Sequence, residues 1–209
     1  GFEGQEDGTI TLWNPEDTIT NGWWGFGAIT ARMMGAHAHI NGIGGLALLD
    51  GTGWYGDPLV GLEQTWDKRN PVPGRMTLYD FTEFQPQVIV CSIGQNCARN
   101  GDITDPDHKS RWIEAYCRIL EGLRQNCPGA KFLLTTTILR HERAWDEAVR
   151  MVASIMEEKW GGGSIRFHAF ARMGVGTPGH LRIAEEREMA EELVPAILGL
   201  KPAGDWLVD

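Results

Sequence analysis

Three short stretches of this sequence carry groups suited to acyl chemistry. His180 stands at the head of a helical stretch, behind Gly174, Gly176 and Gly179. An imidazole titrating near neutrality can serve there as a general base, or simply open the helix. Asn96, within Gly94-Gln95-Asn96-Cys97, holds an amide able to donate to a developing oxyanion or to cap a turn. Asn41-Gly42-Ile43-Gly44-Gly45 lacks bulky side chains where backbone N–H groups would have to face a ligand, and reads equally as an ordinary turn.

Other residues invite weaker readings. His37 and His39 alternate along one segment, but no third ligand accompanies them, so no metal is expected. His141, with Glu142 and Asp146, follows a strand end and can line the pocket, orient His180 or simply cap a helix. Glu185 to Glu192 reads as a solvated helix face. Cys91, Cys97, Cys117 and Cys127 show no C-x-x-C spacing and are expected as free thiols, although Cys97 and Cys127 would suit pairing after export.

The elements that must position these groups follow an alternating pattern. Val88 to Ile93 is a near-continuous apolar run, as in a strand covered on both faces. Trp112, Tyr116, Ile119 and Leu123 then recur at helical spacing within a stretch from about Asp107 to Gln125, and Phe132 to Leu139 reads as a second strand. The alternation repeats with a helix from Trp145 to Met156, the break Gly161-Gly162-Gly163, a strand from Ile165 to Phe170 and a helix from Ala184 to Leu198. Earlier, Trp24 to Met34 reads as a helix and His37 to Ile43 as a short strand. The expected fold is an α/β class, three-layer α/β/α sandwich with a mostly parallel sheet, residues 1–209 forming one domain. Ligands in such sheets bind beyond the carboxyl ends of the strands, where the three stretches lie. Between Leu46 and Phe84 the pattern fails and glycines and prolines gather around Trp54, Tyr55 and Trp66, which suggests an ordered loop beside a site.

Composition narrows the function classes. The 209 residues carry 28 acidic against 19 basic side chains, a formal charge of −9, with no basic patch to offset it. That balance repels phosphates, so neither nucleic acid nor an anionic membrane is an expected partner. No apolar run reaches the roughly 18 to 20 residues of a spanning helix, and no basic-then-apolar leader opens the chain. The compartment stays open between cytoplasmic and secreted after processing.

Taken in order, the three stretches resemble the SGNH (GDSL-like) hydrolase superfamily. Gly42-Ile43-Gly44-Gly45 is similar to its second block, with Gly45 as the oxyanion-hole glycine. Gly94-Gln95-Asn96 is similar to its third, in which asparagine is the other oxyanion donor; Cys97 stands where aspartate is usual. His180, followed by the Met189-Ala190-Glu191-Glu192-Leu193 run, resembles the catalytic histidine of the fifth block. Aspartate normally precedes that histidine by three residues, where this chain has Thr177, as in members that orient the imidazole through a backbone carbonyl. The resemblance spans Trp23 to Leu198, and Gly45 to Trp54 with Ile138 to Asp146 looks like the branch nearest the carbohydrate esterases. It implies hydrolysis of acyl esters, O-acetyl groups on a carbohydrate above all, with no metal or cofactor. Trp54 and Trp66 are then expected to pack against a sugar ring.

The family's Gly-Asp-Ser block, which carries the nucleophile at the end of the first strand, is absent. Of the four serines, Ser92 falls inside a strand, Ser110 before a helix, Ser154 on a helix and Ser164 before a strand, so none is read at a strand end. One expectation is that the first strand and its serine lie upstream of Gly1, the vacant slot being filled by a partner segment or another copy in a homo-oligomer. Another is that Thr9 to Trp13 forms the strand and Thr18 attacks, against the hindrance of its branched carbon. The third is a catalytically silent carbohydrate-binding or scaffold descendant.

Overall fold

A computed structural model describes residues 22–173 and 180–200. A 3-10 turn at Gly22–Trp24 precedes α1 (Phe26–Met34); then follow α2 (Leu62–Thr65), β1 (Lys68–Asn70), β2 (Thr77–Leu78), β3 (Val88–Ser92), α3 (Pro106–Asn126), β4 (Lys131–Thr135), α4 (Arg143–Trp160), β5 (Ile165–His168) and α5 (Ile183–Leu198). The backbone falls into two compact units, one of residues 41–136 and 142–169, the other of the described residues within 1–40, 137–141 and 170–209.

The larger unit is built on a parallel sheet in the order β3-β4-β5, with Val88 opposite Lys131, Cys91 opposite Leu134 and Phe132 opposite Ile165. The α/β class and the parallel sheet expected from the sequence are thus present. Asp105 starts α3 by accepting from the Asp107 and His108 N–H groups, with Pro106 in the first turn, where its missing N–H leaves no bond unmade. The apolar stripe of α3 places Trp112, Tyr116, Ile119 and Leu120 in the core, where they meet Trp145, Val149, Val152 and Met156 of α4 and Phe132 and Leu134 of β4. Trp112 and Trp145 touch edge to face, their ring centres 5.5 Å apart. All four cysteines are free thiols.

Two elements of the sequence reading are corrected. Residues 37–43 form no strand; His37, His39 and Ile40 are exposed, Ile40 at 56%, and no described strand pairs with them. Backbone hydrogen bonding is what makes a strand, and this run has none to join. The second strand also stops earlier than expected, at Thr135, because the Thr136 side chain turns to the α4 carboxylate of Asp146 and its backbone carbonyl accepts from Ser92 Oγ. The stretch from 46 to 84, by contrast, is ordered: Ala47, Leu48 and Leu49 are fully buried, and β1 pairs antiparallel with β2.

In the smaller unit α1 packs on α5, around a core of Ile138, Leu181 and Met189 flanked by Phe26, Leu139 and Phe170. Here the solvated-face reading of Glu185 to Glu192 fails in part. Glu185 and Glu186 are 7% and 3% exposed. Glu186 accepts from the Phe26 N–H at 2.8 Å, answering one of the orphan donors at the start of α1. Glu185 turns back to the Arg182 N–H in a capping box.

Candidate active site

The turn from Gly45 to Leu49 is fastened on all sides. Gly45 has φ +79°, and a Cβ there would lie 2.7 Å from Trp54 Cβ, so no other residue fits. Its carbonyl accepts from the Trp54 N–H at 2.7 Å. The Leu46 carbonyl accepts from Asn96 Nδ2 at 3.0 Å, that of Ala47 from the Leu62 N–H at 2.9 Å and that of Leu48 from the Glu63 N–H at 3.1 Å. With these carbonyls engaged, the turn cannot roll over, and no described residue accepts from the Gly45 N–H.

Asn96 reaches this turn from the carboxyl end of β3. Gly94, at φ +137°, swings the chain out of the strand into a 3-10 turn over Gln95–Ala98. The half-buried Asn96 uses one amide hydrogen on Leu46, and a primary amide has two. Gly45 and Asn96, read separately from the sequence as oxyanion donors, are therefore brought to one place. Cys97 points inward, 1% exposed, and its sulfur accepts from the Leu48 N–H at 3.3 Å. Burial raises its pKa, so it remains a thiol.

The two tryptophans part company. Trp54 is 61% exposed beside Gly45, and the Arg99 guanidinium lies over its ring, 3.4 Å from the ring centre. Trp66 is wedged against α3, where its six-membered ring leaves no room for a side chain at Gly122, and it meets Phe81. That gives Trp66 a packing role the sequence reading did not assign.

His180 belongs to the smaller unit, three residues before α5. It is exposed, yet enough protein surrounds the ring for partial desolvation to draw its pKa below the ordinary imidazole value. Thr177 and Thr18 lie outside the described residues. His141 has its Nδ1 2.6 Å from the Leu139 carbonyl, which suits an Nδ1–H donor. Among the described residues no three His, Cys, Asp or Glu side chains are grouped to hold a metal ion.

Ser92 corrects another sequence expectation. It is the last residue of β3 and so does stand at a strand end, but its Oγ donates to the Thr136 carbonyl at 2.6 Å. Around it the strand ends form a polar rim: Thr136 Oγ1 donates to Asp146, and Thr135 Oγ1 to the His168 carbonyl at 3.0 Å. The sequence signal for this rim was the run Thr135-Thr136-Thr137, polar residues ending an apolar strand.

No protein-family model matches the chain. It is 25% identical over 183 residues to the cellulase/esterase CelE of Acetivibrio thermocellus, covering 85% of this chain and 22% of that protein. Its fold is similar to a family two carbohydrate esterase from Cellvibrio japonicus, with TM-score 0.74, 20% identity, and coverage of 90% of this chain and 56% of the other. It is also similar to a family two carbohydrate esterase from Clostridium thermocellum in complex with cellohexaose, with TM-score 0.71, 24% identity, and coverage of 88% and 57%. The chain thus spans about a fifth of the curated relative and little more than half of these solved chains.

Proposed function

We propose that this chain, which resembles the carbohydrate-esterase-like branch of the SGNH hydrolases, is an ester hydrolase that removes O-acetyl groups from a carbohydrate. One observation carries the reading: the Gly45 N–H, claimed by no described residue, sits on a turn held in place by the Asn96 amide, which has a second hydrogen to give. Fixed donors of this kind stabilise charge developing on a carbonyl oxygen, and in mutational series each is worth roughly 100- to 1,000-fold in rate.

In the proposed cycle a serine hydroxyl attacks the acetyl carbonyl while the neutral imidazole of His180 takes its proton. The oxyanion forms against Gly45 N–H and Asn96 Nδ2. Its collapse breaks the C–O bond to the sugar, and the imidazolium returns the proton to the departing sugar hydroxyl. Water, deprotonated by the same imidazole, then releases acetate and regenerates the serine.

That serine is assigned to a strand paired with the outer edge of β3. Lys131 N donates to the Gln87 carbonyl, so the odd-numbered residues of β3 bond to β4 and the backbone of Val88, Val90 and Ser92 turns the other way. No described strand meets that edge, and Val90 is 36% exposed in the middle of an apolar strand. All-parallel sheets are ordinarily covered, so an edge that no described strand covers suits one more strand. Trp54 offers the exposed ring face for a pyranose.

The silent carbohydrate-binding alternative is favoured by the bond that Ser92 Oγ makes to a backbone carbonyl, which occupies the one serine at a strand end. The natural full-length protein, incubated with 4-nitrophenyl acetate and acetylated xylan beside its His180→Ala variant, separates the two. Turnover lost with His180 supports the esterase; oligosaccharide binding with no turnover in either supports the silent form.

A further inference from the structure

We propose that Cys97 is a positioning residue for the oxyanion turn, its sulfur and the neighbouring Asn96 amide acting as a two-point clamp that fixes the direction of the Gly45 N–H. The inference rests on the esterase reading for its consequence, but on geometry alone for its substance. Asn96 donates to the Leu46 carbonyl at 3.0 Å, and Leu48 donates to Cys97 Sγ at 3.3 Å. Two consecutive residues of the 3-10 turn thus grip two points of the facing segment, one as donor and one as acceptor. The Gly45, Ala47 and Leu48 carbonyls are held by the Trp54, Leu62 and Glu63 N–H groups, and the contacts at the Leu46 carbonyl and the Leu48 N–H are what the 3-10 turn adds to those bonds. Gly45 is next to the clamped Leu46, so its N–H direction follows.

The sulfur suits this duty for reasons of burial and charge. Leu48 is wholly buried, and a buried N–H left without an acceptor is destabilising. A thiolate or carboxylate at the same depth would bring an unpaired charge inside, whereas burial holds the Cys97 thiol neutral. The clamp therefore keeps its form throughout the neutral pH range, independently of the titration of His180. The thiol is inaccessible at 1% exposure, which separates its role from any nucleophilic one.

The test is amide hydrogen exchange and side-chain NMR on this chain with Cys97→Ala, Cys97→Val and Cys97→Ser. Valine fills the space without an acceptor; serine restores an acceptor. The expected result is exchange of the Leu48 N–H accelerated about tenfold or more in the alanine and valine forms, with shifted Asn96 Nδ2 proton signals, while Trp112 and Ile119 in α3 stay protected. Serine brings both signals back toward the wild type. Leu48 protection and Asn96 signals unchanged in the valine form would overturn the proposal, as would an equal loss of protection in α3. Failure of the protein to hydrolyse any ester strikes the proposed function and leaves this readout standing.

Discussion

The turn that holds Gly45 and the segment that holds His180 are built on opposite principles. Around Gly45 the carbonyls from Gly45 to Leu48 all have named donors, and Ala47, Leu48 and Leu49 are buried outright. His180 is exposed and joined to its helix by Leu181 and Arg182. The lesson is a division of labour. In the proposed cycle the donors that must not move at the moment of reaction sit half-buried on a turn anchored to the core, where reorganisation is small. The group proposed to take up and give back a proton stays near solvent, with partial desolvation favouring its neutral form.

The harshest way to break the contrast is Gly45→Ala. The positive φ and the 2.7 Å approach to Trp54 Cβ require the turn to unbuckle. Strain of this kind costs on the order of 1–3 kcal/mol, and thermal unfolding together with loss of nearly all ester turnover is the expected pair of readouts. Asn96→Ala comes next: kcat should fall by roughly 100-fold or more. Leaving the Leu46 carbonyl without its donor should lower stability by about 1–2 kcal/mol, seen in urea titration.

How much of this was legible beforehand depends on the distance over which each signal acts. The strand Val88–Ser92 and the helices α3, α4 and α5 declared themselves because apolar period is a local property. Residues 37–43 misled because pairing is not local: alternating His and Ala resemble a strand whether or not a neighbour exists. The resemblance pairs Asn96 with Gly45 as donors, yet composition and spacing do not reveal that the Asn96 amide bonds the Leu46 carbonyl. The acceptor role of Cys97 and the burial of Glu185 and Glu186 were hidden for the same reason, since polarity marks a residue as soluble until a buried N–H is found waiting for it.

On the histidine side the expected effects are smaller and are read as pH profiles. The ordinary imidazole value is 6.5, and desolvation draws that of His180 lower. Its neutral, proton-accepting form therefore persists to more acidic pH, and kcat/KM should begin to fall only below that ordinary value. A limb centred at or above 6.5 would contradict the assignment.

Glu186, in the same unit, shifts the other way. Burial raises its pKa above the usual 4.5, so the folded form holds its proton more tightly than the unfolded chain. Stability contributed by this group is present below the unfolded value and lost as pH rises through the raised one. Glu186→Gln keeps an oxygen for the Phe26 N–H and should flatten the decline of Tm with rising pH. An undiminished decline would show that other groups cause it. The gentlest change is Trp54→Ala, which should weaken xylo- or cello-oligosaccharide binding by roughly tenfold. Turnover of 4-nitrophenyl acetate should be nearly untouched, the contrast being read by calorimetry and kinetics.

The measurement that reaches furthest is acetate release from acetylated xylan by the natural full-length protein and its Asn96→Ala variant, followed under saturating substrate. If the Gly45 N–H and the Asn96 amide hold the oxyanion, the variant loses roughly two orders of magnitude in kcat while KM stays within a few-fold. Equal kcat in the two proteins would show that the amide does no more than fasten the turn.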